Sequence, residues 1–173
     1  AFAVVLADLG AELIITGRNR ENLAALAESI RLRTGRKPRT QMLDMADVSA
    51  VTLYAKSLRD EGTPLDILVN NAAQWLAGRM DEHDAFAISQ TVTANVTGTF
   101  LLTRGLVPLL EKSGAGDIMN IVSISGLPNA PLQGAAIAYS ASKNAQAALS
   151  DGLRQELTGR PVRVQAVFPP WLE

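Results

Sequence analysis

Tyr139 and Lys143 stand four residues apart in Tyr139-Ser140-Ala141-Ser142-Lys143, a spacing that puts both side chains on one face of a helix. An ammonium beside a phenol favours the phenolate. A tyrosine whose free pKa is about 10 thereby becomes a usable acid or base near neutrality. Upstream, Ser123 opens the polar group Ser123-Ile124-Ser125-Gly126 at the end of an apolar run. Asn70-Asn71-Ala72-Ala73 closes another apolar run, and Asn95 stands alone inside a helical pattern. A Tyr-x-x-x-Lys pair by itself arises by chance in many helices; the ordered set is far more specific.

Those residues need elements to hold them. Segments 12–16, 39–43, 66–69 and 117–123 read as short buried strands, with Val162–Val167 as a fifth. Helical patterns occupy 20–33, 48–61, 84–111 and 138–158. Strands alternating with helices imply right-handed crossovers and a doubly wound parallel sheet of α/β class. Loops are marked by Gly35-Arg36-Lys37-Pro38, Gly62-Thr63-Pro64 and Gly114-Ala115-Gly116, and no repeat or linker divides the chain. In such a sheet ligands bind beyond the carboxyl ends of the strands. Gly17-Arg18, Asp44-Met45, Asn70–Ala73 and Ser123 each follow a different strand, so they converge there.

This ordered set resembles the short-chain dehydrogenase/reductase family over essentially the whole sequence. The resemblance implies one Rossmann-like domain over residues 1–173, partial because the first strand with its glycine-rich loop and the substrate-covering segment are both missing. It also implies hydride transfer between a nicotinamide cofactor and a carbonyl/alcohol pair. Tyr139 would be the acid/base, Lys143 would lower its pKa and hold the nicotinamide ribose, and Ser123 would orient the carbonyl. Ser125 is the rival alignment for that serine. Asn95 would hold a water through a local helix distortion and extend a proton relay; the alternative is an exposed helix position, which its neighbours Val92, Val96 and Phe100 argue against.

The same resemblance places cofactor contacts at Arg18, Asp44, Met45, Asn71, Ala72, Ala73 and Pro169, besides Tyr139 and Lys143. The family's usual acidic position after the second strand is Gly17 here, followed by Arg18 and Arg20. A guanidinium pairs well with a phosphate, so NADP(H) is favoured and NAD(H) is the alternative; two solvated arginines are the plainer reading. Asp44 matches an adenine contact, with Asp47 the better helix cap by position. Ala73 replaces a usual glycine and Pro170 another. Residues 127–138 form a longer loop than is common, laid over the substrate.

Composition narrows the rest. The chain is 47% hydrophobic but only 5% aromatic, carries a net charge of −1 and has no cysteine. A mixed, near-neutral surface argues against nucleic acid, and the absence of thiols rules out disulfides and thiolate metal sites. His83 is expected in a solvated loop, with no second histidine to complete a metal site. No run reaches the roughly 20 apolar residues of a membrane span, and residues 1–7 read as a helix rather than a signal core. The expectations are therefore a cytoplasmic enzyme acting on a small-molecule carbonyl or alcohol, without metal, nucleic acid or membrane. The resemblance also implies a homodimer or homotetramer, because helices matching 84–111 and 138–158 commonly pack on their symmetry mates in that family and small residues allow close approach. The plainer reading is that the alanines only raise helix propensity. The alternatives are a non-catalytic dinucleotide-binding or scaffold member of the fold, and, more weakly, an isomerase or dehydratase with tightly held NAD.

Overall fold

A computed structural model describes residues 2–170, and the chain divides into two compact units after Asp44. The first holds α1 (Phe2–Asp8), β1 (Ile14–Gly17), α2 (Arg20–Thr34) and β2 (Arg39–Met42). Asn19 caps α2, its side chain accepting from Asn22 N at 2.8 Å. Gly35 closes the helix at φ 75°, a left-handed conformation suited to glycine. Leu23, Ala27 and Ile30, spaced by helical turns, are buried. β1 and β2 pair in parallel from Ile14 opposite Arg39 to Gly17 opposite Met42. All four residues of β2 are exposed, which corrects the expectation of a buried strand: Arg39, Thr40 and Gln41 are polar, and the buried residue is Leu43, one past the end.

The second unit holds α3 (Val48–Asp60), β3 (Ile67–Asn70), α4 (Ala85–Val92), α5 (Thr99–Lys112), β4 (Gly116–Ile121), α6 (Ile137–Glu156) and β5 (Val162–Val167). Its sheet has the order β3-β4-β5, all parallel. Asp47 caps α3 by accepting from Ala50 N at 2.9 Å, as its position in the sequence suggested. Val51, Ala55 and Leu58 form the buried face of α3. α3 packs on α5 closely enough that a Cβ at Gly105 would stand 2.5 Å from the Ala55 Cβ. Parallel strands joined through helices make this a partial, Rossmann-like α/β fold, as read from the sequence. No helix among the described residues is long and apolar enough to cross a membrane.

The helical pattern over 84–111 is not one regular helix. Between α4 and α5 the backbone widens into a π turn, Thr93–Gly98, a distortion often found where a side chain is re-aimed. Here that side chain is Asn95, which is fully buried.

Candidate active site

β4 ends where Ser123 begins a short 3-10 turn, Ile124–Gly126, and Ser123 Oγ accepts from Ser125 N at 3.1 Å. α6 starts beyond the long loop and presents Tyr139 and Lys143 on one face. The Lys143 Nζ lies 5.8 Å from the centre of the Tyr139 ring. Gly126 keeps turn and helix together: a Cβ there would stand 2.5 Å from Val122 Cγ1 and 2.8 Å from the Lys143 carbonyl. Ser123, Tyr139 and Lys143 line a cavity of about 240 Å3 with Asn71, Ala73 and Pro169. Asn71 and Ala73 follow β3, Ser123 follows β4 and Pro169 follows β5, so three strand ends meet α6 in one cleft.

The electrostatics are set mainly by burial. Lys143 is 2% exposed and donates from Nζ to the Ile121 carbonyl at 3.0 Å and to Gln146 Oε1 at 2.8 Å. Burial draws its pKa down from the usual lysine value to about 8, so it is still mostly an ammonium at pH 7. Burial pushes the Tyr139 phenol up from its ordinary value, and a hydrogen bond with Ser123 offsets part of that rise. The sequence suggested that the ammonium would draw Tyr139 down. In the structure two acceptors hold Nζ, and desolvation of the phenolate sets the direction of the Tyr139 shift. Tyr139 therefore stands as a neutral phenol, with the Trp75 ring edge-on at 4.5 Å between centres.

Asn95 is gripped on all sides. Its Oδ1 accepts from Gln74 N at 2.6 Å, and its Nδ2 donates to the Gln74 carbonyl at 3.0 Å and to Ser142 Oγ at 2.9 Å. The Asn95 carbonyl accepts from Gln146 Nε2 at 2.7 Å. The helix distortion expected around Asn95 is present, but both its side chain and its carbonyl are engaged with protein groups. Beneath, Asn70 Nδ2 donates to Asn120 Oδ1 at 2.8 Å and to Thr103 Oγ1 at 2.9 Å, and Asn120 Nδ2 donates to Ser150 Oγ at 2.8 Å. This buried ladder ties β3, β4, α5 and α6 beneath the cleft.

Sequence reasoning missed Gln146, Ser142 and Asn120. Each was legible as a polar residue on the buried face of a helix or strand, such as Gln146 one turn beyond Lys143. Asn71, Ala73 and Pro169 lie in the cleft lining, with Ala72 between the first two in sequence; Pro170 lines it too. Ser125, the rival serine, also lines it but is 9% exposed. Met45 is buried in the second unit, whereas exposed Arg18 and half-buried Asp44 belong to the first. His83 is half-buried rather than solvated, with Nε2 shielded and without a hydrogen-bond partner. Among the described residues no three His, Cys, Asp or Glu side chains gather as a metal site.

The loop over the cleft is held in place. Gly78 N donates to the Gly134 carbonyl at 3.0 Å and Ala136 N to the Leu76 carbonyl at 2.9 Å, joining the segment after β3 to the one before α6. Leu132 and Gln133 from this loop line the cavity. Gln133 adopts φ 50°, a left-handed conformation that costs a non-glycine residue on the order of 1 kcal/mol.

Comparison with known proteins gives a consistent result. The sequence matches the short chain dehydrogenase family over residues 1–173. It is 30% identical over 169 residues to an uncharacterized oxidoreductase of Staphylococcus saprophyticus, covering 98% of this chain and 71% of that protein. It is 31% identical to dehydrogenase/reductase SDR family member 7B of Xenopus laevis, covering 95% of this chain but 51% of that one, about half its length. Among solved structures, a short-chain dehydrogenase from Sphingobium yanoikuyae in complex with NADPH superposes with a TM-score of 0.89 at 30% identity. That match covers 99% of this chain and 66% of the Sphingobium chain.

Proposed function

The chain belongs to the short-chain dehydrogenase family of oxidoreductases, and on that premise we propose that it transfers a hydride reversibly between NADP(H) and a small carbonyl/alcohol pair. The observation that carries this reading is the single cleft that Ser123, Tyr139 and the buried Lys143 line together at the strand ends. The cleft also fits the reacting end of a dinucleotide. Small residues, Ala73 and Pro169, line it where a flat ring needs close approach, and its position at strand ends is where α/β sheets bind nucleotides. When bound, the nicotinamide gives or takes the hydride.

The chain's own residues do the rest. Ser123 releases its bond to Tyr139 and donates to the substrate carbonyl, orienting and polarising it. Tyr139, held neutral by burial, passes its phenolic proton to the oxygen as it gains charge; in oxidation it takes the proton back. Lys143 has a third donor beyond Ile121 and Gln146 for a ribose hydroxyl, and its positive charge steadies the phenolate once Tyr139 has given up its proton. Asn95 closes the hydrogen-bond chain that starts at Lys143. Met45, Asn71, Ala72, Ala73 and Pro169 are the proposed cofactor walls in the second unit, and Asp44 the proposed adenine contact. A cytoplasmic setting goes with this reading, where a shared pool of nicotinamide cofactors is at hand. The test is turnover: the full-length protein should consume NADPH in the presence of aldehydes or ketones. Tight binding without consumption would point instead to the scaffold reading.

Cofactor choice rests on Gly17 at the end of β1 with Arg18 and Arg20 after it, and the NADPH complex of the Sphingobium relative is in keeping with it. A charge-assisted bond is worth about 1.5–3 kcal/mol. Arg18→Ala should therefore weaken NADPH binding by roughly 10- to 100-fold and NADH binding hardly at all, as read by cofactor fluorescence. Equal losses would remove the basis for NADP(H).

A homo-oligomer is also proposed. Phe86 is 71% and Phe100 43% exposed, and Ala148 lies on the exposed side of α6. Such apolar surface on helices suits a second copy meeting it by two-fold symmetry. Light scattering should find a dimer or tetramer that Ala148→Glu weakens. A wild-type monomer at micromolar concentration would contradict it.

A further inference from the structure

Gln146 is 2% exposed and lies one helical turn after Lys143, so the two side chains are neighbours on α6. Its Oε1 accepts from Lys143 Nζ at 2.8 Å, and its Nε2 donates to the Asn95 carbonyl at 2.7 Å. The orientation of the amide is dictated by its partners: an ammonium only donates and a backbone carbonyl only accepts. The Asn95 carbonyl is open to a side chain because of the π turn. In a regular helix it would receive the Thr99 N–H, which here donates to the Val96 carbonyl. Asn95 Nδ2 donates to Ser142 Oγ, which in turn donates to the Tyr139 carbonyl at 2.7 Å. A chain of bonds thus runs from Lys143 through Gln146, Asn95 and Ser142 to the residue that carries the phenol.

We propose that Gln146 is a positioning residue for the reaction: its amide stands where solvent would otherwise join Lys143 to the π turn, fixing the ammonium under the cleft and setting the pH at which it titrates. A water in that place could rotate and pass protons onward. An amide holds its partners but does not readily hand a proton through. The charge on Lys143 therefore exchanges from the cleft side, not through Asn95.

The groups around Nζ make the idea testable. They are the Ile121 carbonyl from β4, the Tyr139 phenol and Gln146 from α6, and, behind Gln146, Asn95 in the π turn and Thr99 on α5, whose Oγ1 lies 3.4 Å from Gln146 Nε2. Among the described residues no charged neighbour contributes to the titration of Lys143, which burial alone shifts. Changing the one neutral acceptor should therefore move it cleanly.

The experiment labels lysine with 13C at Cε in the full-length protein and follows the Lys143 resonance with pH. Gln146→Leu removes an acceptor from the ammonium and should lower its titration by about half a unit or more; Gln146→Glu supplies a carboxylate and should raise it by about a unit or more. A merely structural role would not give opposite shifts. In turnover, the lysine limb of the kcat profile should move with each variant while KM for the carbonyl substrate stays within about threefold of wild type. If Gln146→Leu does not fold, Gln146→Glu alone decides. The kinetic half rests on the hydride-transfer reading, but the resonance does not. Wild-type protein without turnover overturns that reading and leaves the titration to judge Gln146. Titrations within about 0.2 unit of wild type in the folded variants overturn the role of Gln146, whatever the turnover.

Discussion

Tyr139→Phe is expected to lower kcat of the full-length protein by about 10^2- to 10^4-fold, the usual contribution of a positioned acid or base, while cofactor binding and the melting temperature stay near wild type. The ring is retained, so its edge-on contact with Trp75 and its place in the cleft wall survive. What is lost is the proton and the hydrogen-bond partner of Ser123. A drop of less than about tenfold, only 1.4 kcal/mol in the barrier, would rule Tyr139 out as the proton donor. The wild-type pH profile carries a sign of its own. Reduction needs the phenol protonated, and burial raises its pKa, so this group does not limit the rate at moderately alkaline pH. Lys143 loses its charge as pH rises through about 8. The reductive rate should therefore fall above that pH because of the lysine rather than the tyrosine.

Gly98→Ala should be the most damaging single methyl in the second unit. A Cβ at Gly98 would stand 2.1 Å from the Met45 carbonyl oxygen and 3.0 Å from its carbon. Both partners are backbone, so the clash cannot be relieved by a rotamer change. Overpacking of this kind costs about 1–3 kcal/mol and occasionally more; a loss at or above the top of that range is expected in denaturant unfolding. The π turn that carries Asn95 and the segment that carries Met45 would be pushed apart together. Cofactor affinity should fall in the variant even at temperatures where it remains folded. A variant as stable as wild type would mean that this close approach is not maintained in solution.

Much of this was open to reading in the chain itself. The i, i+4 spacing of Tyr139 and Lys143 survives into α6 because a long regular helix preserves its period. Asp47 was identifiable as a cap because a short carboxylate before an apolar helical pattern has few other uses. Asn95 is a more instructive case. Its burial was inferred from Val92, Val96 and Phe100, yet Val92 and Phe100 are exposed. The inference reached a buried Asn95 by the wrong face, because the π turn adds a residue and breaks the 3.6-residue period on which the reasoning relied.

What the sequence did not disclose were long-range pairings. Nothing local in Gln146 says that it will find the Asn95 carbonyl, or in Asn120 that it will meet Asn70 across a strand pair. The direction of the Tyr139 shift depended on how deeply α6 would be buried, a tertiary quantity. β2 departs from the buried strand expected over 39–43 because Arg39, Thr40 and Gln41 are polar and burial begins only at Leu43.

The central claim is that this cleft moves a hydride to a carbonyl carbon while Tyr139 protonates the oxygen. Its most direct test supplies the full-length protein with NADPH deuterated at the transferable ring position and a panel of aldehydes and ketones, and examines the products by mass spectrometry and NMR. The account predicts deuterium on the carbinol carbon of at least one product, formed by the wild type and reduced to trace level by Tyr139→Phe. NADPH bound tightly but recovered with its label intact, or a labelled alcohol formed equally well by Tyr139→Phe, would contradict it.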